Sequence, residues 1–424
     1  MKPNTLLAIT ALLTVVGCSQ PPVATKTDPS KVKTTEDNVA DRMIRRSQAK
    51  IEKDPNSATA YSDLGMAFAQ KGRETGVLSW YDHAKSSLEK AVKMSPNDPA
   101  AMRNLAYVST IFHSFKPAVK YAESAIKLNP RDSLAYGVLT DSYLELGQYE
   151  KAVEVAQKMV DLKPDLGSYS RAAKLKWIYG DAKGAILTMD KALNCGAPYA
   201  ENTAWCAVML GDMYFKTGAL PVAERQYLDA MNRLPDYRHA CAGMSRVRFA
   251  QSKFQEAAQW MQKACVGTPP LTYVAELGEI YEKMGEPELA KKQYEKVLET
   301  SKEFWSHGIE GDELAVSAFL LDHTGDKARA LDMVEKEVKE HTSVEAYSTL
   351  AWAYYKNNRP KDAARAIDMA MKTGIQDSLV WYRASLIANA NGETKRARQL
   401  AIKCESLNPH FSMVYNTKEL FASR

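Results

Sequence analysis

Residues 210–235, LGDMYFKTGALPVAERQYLDAMNRLP, carry the pattern that decides the fold. Apolar and small residues recur at intervals of three and four on both sides of Gly218, which predicts two amphipathic helices joined by a tight turn. The small residues Gly211 and Ala223 allow the two helices to approach closely, while Tyr214 and Tyr227 fill the space around them. Pro235 ends the second helix. The stretch therefore predicts an antiparallel helix pair.

The same pattern recurs at a period of about 34 residues. A second clear copy consists of Leu277, Gly278, Tyr281, Gly285, Ala290, Tyr294 and Val297. Weaker copies are marked by Leu105, Ala118, Ala122, Ala125 and Pro130, by Tyr136, Leu139, Tyr143, Gly147, Ala152, Ala156 and Pro164, and by Tyr347, Leu350, Tyr354, Ala363 and Ala370. One pair cannot bury its apolar face alone, but stacked pairs can. We therefore predict an all-α superhelical solenoid of about ten helix pairs over residues 56–410.

This register resembles the tetratricopeptide repeat (TPR) family. The resemblance implies that partner peptides lie along a concave groove, whose wall comes from fixed positions on the first helix of each pair. Carried over to this sequence, the partner-binding groove positions are Arg103, Tyr107, Asp141, Lys174, Trp177, Asp212, Phe215, His239, Arg246, Phe249, Glu279, Glu282, Phe319, Asp322, Trp352, Tyr355, Tyr382 and Arg383. The carboxylate clamp of chaperone-tail binders is missing, because Ser62 and Met66 occupy the corresponding early positions.

The groove positions change sign along the chain. Lys174 and Arg246 lie in the middle repeats, whereas Glu279, Glu282 and Asp322 follow. The sequence therefore predicts a partner peptide with acidic residues toward the middle repeats, basic residues toward the later ones, and apolar side chains on the aromatic positions.

The N-terminus has the features of a secretory signal. Lys2 precedes an apolar segment, residues 6–16, that is too short to span a bilayer as a mature helix. The following Val15-Val16-Gly17-Cys18 resembles the bacterial lipobox, which implies a signal peptide at 1–17 and lipidation of Cys18. Ser19, where an Asp would resemble an inner-membrane retention signal, points to the outer membrane if the source is Gram-negative. The alternative is an ordinary signal peptide cleaved near Gly17.

Further segments are assigned around the repeats. Residues 18–37 are rich in Pro, Thr, Ser and Lys and predict a flexible tether behind the lipidated Cys18. Residues 38–55 predict an N-terminal capping helix with an apolar face of Val39, Met43, Ile44 and Ile51. Extra sequence near 195–203 and 300–311 indicates bends in the array, and residues 411–424 predict a C-terminal capping helix.

Composition and motifs argue against catalysis and nucleic-acid binding. The net charge of +5 comes from positive residues interleaved with 51 acidic ones, without a basic run. Phosphate-binding loops, paired cysteine motifs and metal-spaced histidine pairs are missing, so we expect neither enzyme activity nor a cofactor. The best metal-like group is His307, Glu310, Glu313 and His323, and its spacing alone favours a solvated helix start over a metal site.

Five cysteines remain after Cys18. Cys241, Cys265 and Cys404 fall on helices that the period places in the core, as small apolar side chains. Cys195 and Cys206 flank an irregular connection and could form a disulfide in an oxidising envelope, although the interpretation of two free thiols stays open.

Together these features predict a membrane-anchored scaffold or adaptor in the bacterial cell envelope that binds a protein or peptide partner. One alternative is an assembly lipoprotein of a pilus, secretion or outer-membrane machine. Another, of a different class, is a regulator that binds a cell-wall sugar or small ligand on the aromatic groove.

Overall fold

The computed structural model describes residues 28–32, 39–308 and 313–411. Over these ranges the regular secondary structure is helical, and no strand is present among them. The predicted signal peptide, Cys18, Glu310 and all of the predicted C-terminal cap except Phe411 lie outside the described residues. No helix in the described ranges is both long enough and apolar enough to cross a membrane.

A single helix, α1 (Val39–Lys53), precedes ten antiparallel pairs. The pairs are α2 (Ala58–Thr75) with α3 (Ser79–Met94), α4 (Pro99–Ile111) with α5 (Phe115–Leu128), α6 (Ser133–Glu145) with α7 (Tyr149–Leu162), α8 (Leu166–Ile178) with α9 (Ala182–Asn194), α10 (Glu201–Lys216) with α11 (Leu220–Arg233), α12 (Arg238–Ala250) with α13 (Phe254–Ala264), α14 (Leu271–Met284) with α15 (Pro287–Ser306), α16 (Glu313–Phe319) with α17 (Lys327–Glu340), α18 (Val344–Lys356) with α19 (Pro360–Met371), and α20 (Ser378–Ala390) with α21 (Thr394–Leu407). A π-helical segment, Leu320–Thr324, continues α16. The predicted all-α solenoid of ten helix pairs is confirmed.

The glycines of the repeat pattern make room for aromatic rings. Tyr227 on α11 is fully buried, and its hydroxyl donates to the Asp212 carboxylate at 2.7 Å. A Cβ added to Gly211 on α10 would lie 2.6 Å from the Tyr227 ring, and one added to Gly243 on α12 would lie 2.3 Å from it. The ring therefore fills the space between two first helices, which only glycine leaves open.

Helix α1 caps the array with a face different from the predicted one. Ile44 and Ile51 are buried as expected, but Val39 and Met43 are exposed. The buried residues include Asp41, which forms an ion pair of 2.8 Å with Lys71 on α2. The face of α1 that packs against α2 is therefore rotated away from the predicted apolar face, because it includes the buried Asp41 of this ion pair.

Part of the predicted flexible tether packs against the body. Residues 28–32 form a short turn, in which Pro29 is buried and Val32 packs against the apolar core of the first pairs. The side chain of Gln48 on α1 donates to the Val32 carbonyl at 2.8 Å. Residues 28–32 thus pack against the helical body, whereas the sequence predicts a flexible tether over the whole of 18–37.

The solenoid returns onto itself after about six repeats. Thr342 Oγ1 donates to the Leu146 carbonyl at 2.8 Å, and the Val344 backbone N–H donates to the Tyr149 hydroxyl at 2.7 Å. Gly147 allows this approach, since a Cβ there would lie 2.2 Å from the Thr342 carbonyl oxygen. These partners are 195 and 196 residues apart in sequence.

Further contacts of the same kind extend the seam. Lys216 on α10 pairs with Asp377 at 2.8 Å, and Asn408 donates to the Phe215 carbonyl at 3.4 Å. A Cβ on Gly180 would lie 2.3 Å from the Gly374 carbonyl oxygen. We call this seam the turn junction, comprising residues 146–149, 180 and 215–218 on one side and 342–344, 374–377 and 408–409 on the other.

The extra sequence near 300–311 also joins the two turns of the superhelix. It lengthens α15 to Ser306, and Phe304 packs against residues of the first pairs. His307 lies 2.6 Å from the Asp82 carboxylate on α3. At least in its described part, residues 300–308, this insertion is a helical extension that reaches across the superhelix.

Candidate functional site

Closure of the superhelix encloses a cavity of about 660 Å³. Its wall is formed mainly by α6, α8, α10, α12, α14, α16, α18 and α20, the first helices of eight successive pairs. We call it the central cavity. Its volume falls in the range of about 300–1,000 Å³ that is usual for small-ligand pockets, so it fits a short peptide segment or small molecule and not a folded domain.

Apolar side chains cover much of the central cavity. They include Trp177, Met209, Met213, Phe215, Phe249, Leu271, Leu314, Phe319, Ile375 and Val380. Trp177 is partly exposed, and the Lys216 ammonium lies 6.0 Å from the centre of its ring. Aromatic and thioether groups of this kind supply apolar contact for a ligand, as in most concave binding sites.

The charged side chains of the central cavity are predominantly acidic. Seven carboxylates line it, from Glu145, Asp212, Glu276, Glu279, Asp322, Glu345 and Asp377. Four cations face them, from Lys174, Lys216, Arg246 and Arg383. With His323 neutral, the wall has an excess of three negative charges, and the enclosing protein strengthens their field.

Each of the four cations is already engaged by the wall. Lys174 pairs with Glu145 at 3.1 Å, and this carboxylate raises the pKa of Lys174. Arg246 makes two hydrogen bonds of 2.8 and 2.9 Å to Glu276, while Lys216 pairs with Asp377. Arg383 donates to the Ser348 hydroxyl at 2.9 Å. The positive middle region predicted from the sequence is therefore neutralised internally, and the predicted match to acidic peptide residues loses its basis.

Two carboxylates of the cavity lack a cationic lysine or arginine partner among the described residues. Glu279 makes a 3.1 Å contact with His323 Nε2, and burial together with the neighbouring Glu276 and Asp322 raises the pKa of Glu279. Glu345 is accessible to the cavity and makes no hydrogen bond or ion pair in the described structure. The surrounding protein and the Glu145 carboxylate raise the pKa of Glu345, and the more weakly coupled cations Lys216, Lys174 and Arg383 offset part of this effect. Both groups are held in surroundings that disfavour their negative charge.

The structure brings ten of the eighteen predicted groove positions to the central cavity. They are Lys174, Trp177, Asp212, Phe215, Arg246, Phe249, Glu279, Phe319, Asp322 and Arg383. The other eight do not line it, namely Arg103, Tyr107, Asp141, His239, Glu282, Trp352, Tyr355 and Tyr382.

Contacts with neighbouring repeats explain most of these eight. Arg103 pairs with Asp132, Asp141 with Arg171, and the hydroxyl of Tyr107 accepts from Arg73. His239 Nδ1 lies 2.7 Å from the Tyr273 hydroxyl, and burial lowers the pKa of His239 to about 4. Trp352 and Tyr382 are buried, and Tyr355 stacks on Trp352. Glu282 is exposed outside the cavity.

Several cavity residues were not predicted. Glu276 and Lys216 lie three and four residues from predicted positions, so an extended helix face would have included them. Glu145, Glu345 and Asp377 enter the cavity because the turn junction brings the end of α6 beside the starts of α18 and α20. The local repeat pattern carries no signal for that juxtaposition.

The described part of the structure does not bring Cys195 and Cys206 together as a disulfide, and it does not assemble His307 and His323 into a metal site. Cys195 and Cys206 are both free thiols; Cys195 is exposed, whereas Cys206 is buried within α10, which raises its pKa to about 12. The suggested disulfide is therefore absent, because the two side chains face different surroundings. His307 and His323 contact separate carboxylates, and no group of three metal-ligating side chains is assembled within the described ranges.

Comparison with known proteins identifies the repeats. Residues 115–167 and 272–304 match models of the tetratricopeptide repeat. Over 104 residues the chain is 30% identical to the small glutamine-rich tetratricopeptide repeat-containing protein 2 of Mycosarcoma maydis, covering 24% of this chain and 30% of that protein. It is 28% identical over 117 residues to the Hsp70-Hsp90 organizing protein 2 of Arabidopsis thaliana, covering 27% and 20%. The match thus spans less than a third of each relative.

A structural comparison agrees on the architecture. The human IFIT1 dimer solved with m7Gppp-AAAA aligns with a TM-score of 0.51 at 15% identity, covering 78% of this chain and 76% of that one. At this identity the likeness concerns the fold alone. The chain thus contains tetratricopeptide repeats, and its ten helix pairs form a solenoid of that type, an architecture whose concave face binds other proteins.

Proposed function

We propose that this protein is a lipid-anchored scaffold or adaptor of the bacterial cell envelope that holds a segment of a protein partner in its central cavity. The observation that supports the proposal best is the cavity itself, which is enclosed by eight first helices and carries aromatic anchors beside fixed charges. Such a site binds through contact area and orientation and needs no catalytic group. The protein would therefore act without catalysing a reaction, by holding its partner at the membrane.

The charge of the central cavity favours a protein partner over nucleic acid. Its wall has three more carboxylates than cations, and the cations are engaged by neighbouring side chains. A nucleic acid would meet repulsion there, and cations already engaged by the wall would neutralise few of its phosphates and so release few of its condensed counterions. The IFIT1 structures carry ligands with a triphosphate or a cap, which this acidic cavity is not suited to receive.

The partner-binding role predicts a strong effect of Trp177→Ala. We expect partner affinity to fall about 30-fold, corresponding to about 2 kcal/mol, because an aromatic anchor in a concave site carries much of the binding energy. Affinity and stability are to be measured on the same variant, since loss of packing alone would lower both. Trp260→Ala is the matched control, because Trp260 does not line the cavity.

The partner can be identified by photo-crosslinking in intact envelopes. A benzophenone side chain at Met209, inside the cavity, should capture a protein that the same group at Leu187, exposed on α9, does not. Capture that is equal at both positions, or unchanged affinity of the captured partner for Trp177→Ala, would remove the central cavity as the binding site.

The proposed anchor predicts that Cys18→Ala releases the protein from membranes while the helical body stays folded. Acyl chains supply about 0.8 kcal/mol per buried methylene, so their loss removes nearly all membrane affinity. Fractionation after a high-salt wash measures the effect, with Cys195→Ala as a control at an exposed thiol. A Cys18→Ala protein that still sediments with membranes contradicts lipid anchoring.

A further inference from the structure

We propose that the central cavity selects peptide segments that combine apolar side chains with positive charge, and that Glu345 and Glu279 receive the charged groups. This inference rests on the proposed peptide-binding function and specifies its chemistry. It opposes the expectation from the sequence that acidic peptide residues face the middle repeats.

The first argument is the balance of charge within the wall. Every cation of the cavity is engaged by a side chain of the wall, so an incoming carboxylate would have to displace an internal partner. Among the described residues, the Glu345 carboxylate makes no hydrogen bond or ion pair, and the Glu279 carboxylate contacts the His323 ring. An ammonium or guanidinium group would supply a positive charge and charge-assisted hydrogen bonds to these two carboxylates.

The second argument is the way in which Glu345 is held. It lies in the first turn of α18, whose start is fixed by the Ser343 side chain accepting from the Ala346 N–H and by the Val344 N–H bonded to Tyr149. The backbone that carries the carboxylate is therefore anchored from both turns of the superhelix. Its side chain is exposed to the cavity, and the nearby Glu145 carboxylate repels it. A carboxylate on a fixed backbone that faces a cavity without a described hydrogen bond of its own is available to a ligand.

The third argument is the apolar surface beside these carboxylates. Phe319 on α16 and Phe249 on α12 line the same cavity as Glu279, and Val344, next to Glu345, belongs to one apolar cluster with Ile375 and Val380. A ligand with positive charge alone would leave this surface uncovered. A short segment with apolar residues flanked by basic ones matches both features of this cavity of about 660 Å³.

The test uses the purified full chain and three end-blocked peptides, Lys-Leu-Phe-Leu-Lys, Gln-Leu-Phe-Leu-Gln and Glu-Leu-Phe-Leu-Glu, in calorimetric titrations. The lysine peptide is expected to bind at least about tenfold more tightly than the glutamine peptide, and the glutamate peptide more weakly than both. Glu345→Gln and Glu279→Gln should each reduce the preference for lysine about five- to tenfold. Glu154→Gln, exposed on α7, is the matched control and should change nothing.

Stability separates a binding role of Glu345 from a structural one. Glu345→Gln should be as stable as the parent in urea or more stable, because it removes a carboxylate without a partner. A destabilised Glu345→Gln protein, equal binding of lysine and glutamine peptides, or no binding of any peptide at millimolar concentration overturns the inference. If the glutamate peptide binds best while Met209 still captures a partner, the charge selection is wrong and the peptide-binding function stands. If Met209 also captures nothing, both fail.

Discussion

Replacing Gly211 with leucine is expected to destabilise the protein by about 3 kcal/mol or more. Even a Cβ at this position would lie 2.6 Å from the Tyr227 ring, and a Cβ at Gly243 on α12 would lie 2.3 Å from the same ring, so the ring is closely packed against both helices. Overpacking a filled core costs about 1–3 kcal/mol, and displacing Tyr227 also breaks its hydrogen bond to Asp212. Chemical denaturation followed by circular dichroism measures the loss.

The matched control introduces the same leucine side chain at an exposed position, where it does not overpack the core. Lys292 on α15 is exposed, so Lys292→Leu is expected to change the free energy of unfolding by less than about 0.5 kcal/mol. A Gly211→Leu protein as stable as the parent would show that Tyr227 does not occupy the space between α10 and α12.

The second large effect is expected at the N-terminal cap. Asp41→Ala should cost about 3–5 kcal/mol, limited by the free energy with which α1 docks, because it leaves the Lys71 ammonium buried without this carboxylate. The two side chains are only 0% and 4% exposed. The loss should be local, so limited proteolysis and hydrogen exchange of α1 are the measurements that report it.

Two variants control for this interpretation. Asp41→Ala with Lys71→Met removes both charges and should recover most of the loss, since a buried ion pair is readily replaced by apolar groups. Asp63→Ala breaks the Lys50–Asp63 pair, which joins the same two helices but is nearly half exposed at both ends, and should cost less than about 1 kcal/mol. Equal effects of Asp41→Ala and Asp63→Ala would contradict the importance of burial.

The repeat architecture could be predicted from the sequence because its cause is local. Gly211, Tyr214, Ala223 and Tyr227 report how two adjacent helices pack, and this information recurs in every copy of the pattern. The helix pairs follow from it, whereas the ten cavity positions on their first helices were implied by the resemblance to the tetratricopeptide repeat family. The buried face of the N-terminal capping helix α1 was predicted less well, because it contains a charged residue, Asp41, which interrupts the apolar pattern.

Closure of the superhelix could not be predicted in the same way. It depends on the small rotation between successive pairs, summed over about six of them, and no local pattern encodes that sum. The residues it brings together, such as Glu145 and Glu345, therefore carried no signal of a shared site. The ion pairs of Lys174 and Arg246 with carboxylates could not be predicted either, and they remove the basis for the expected match to acidic peptide residues.

The turn junction also bears on how the chain folds. In an open solenoid each repeat depends on its neighbours alone, and units can unravel from either end. Here Tyr149 and Thr342 tie repeats nearly 200 residues apart, so opening one of these repeats sacrifices contacts of the other. We expect larger cooperative units than in a linear array. The contacts of the turn junction raise the contact order of the protein, and the entropy of closing so long a loop is lost before these contacts form. We therefore expect the turn junction to form slowly and late, after rapid folding of the individual helix pairs.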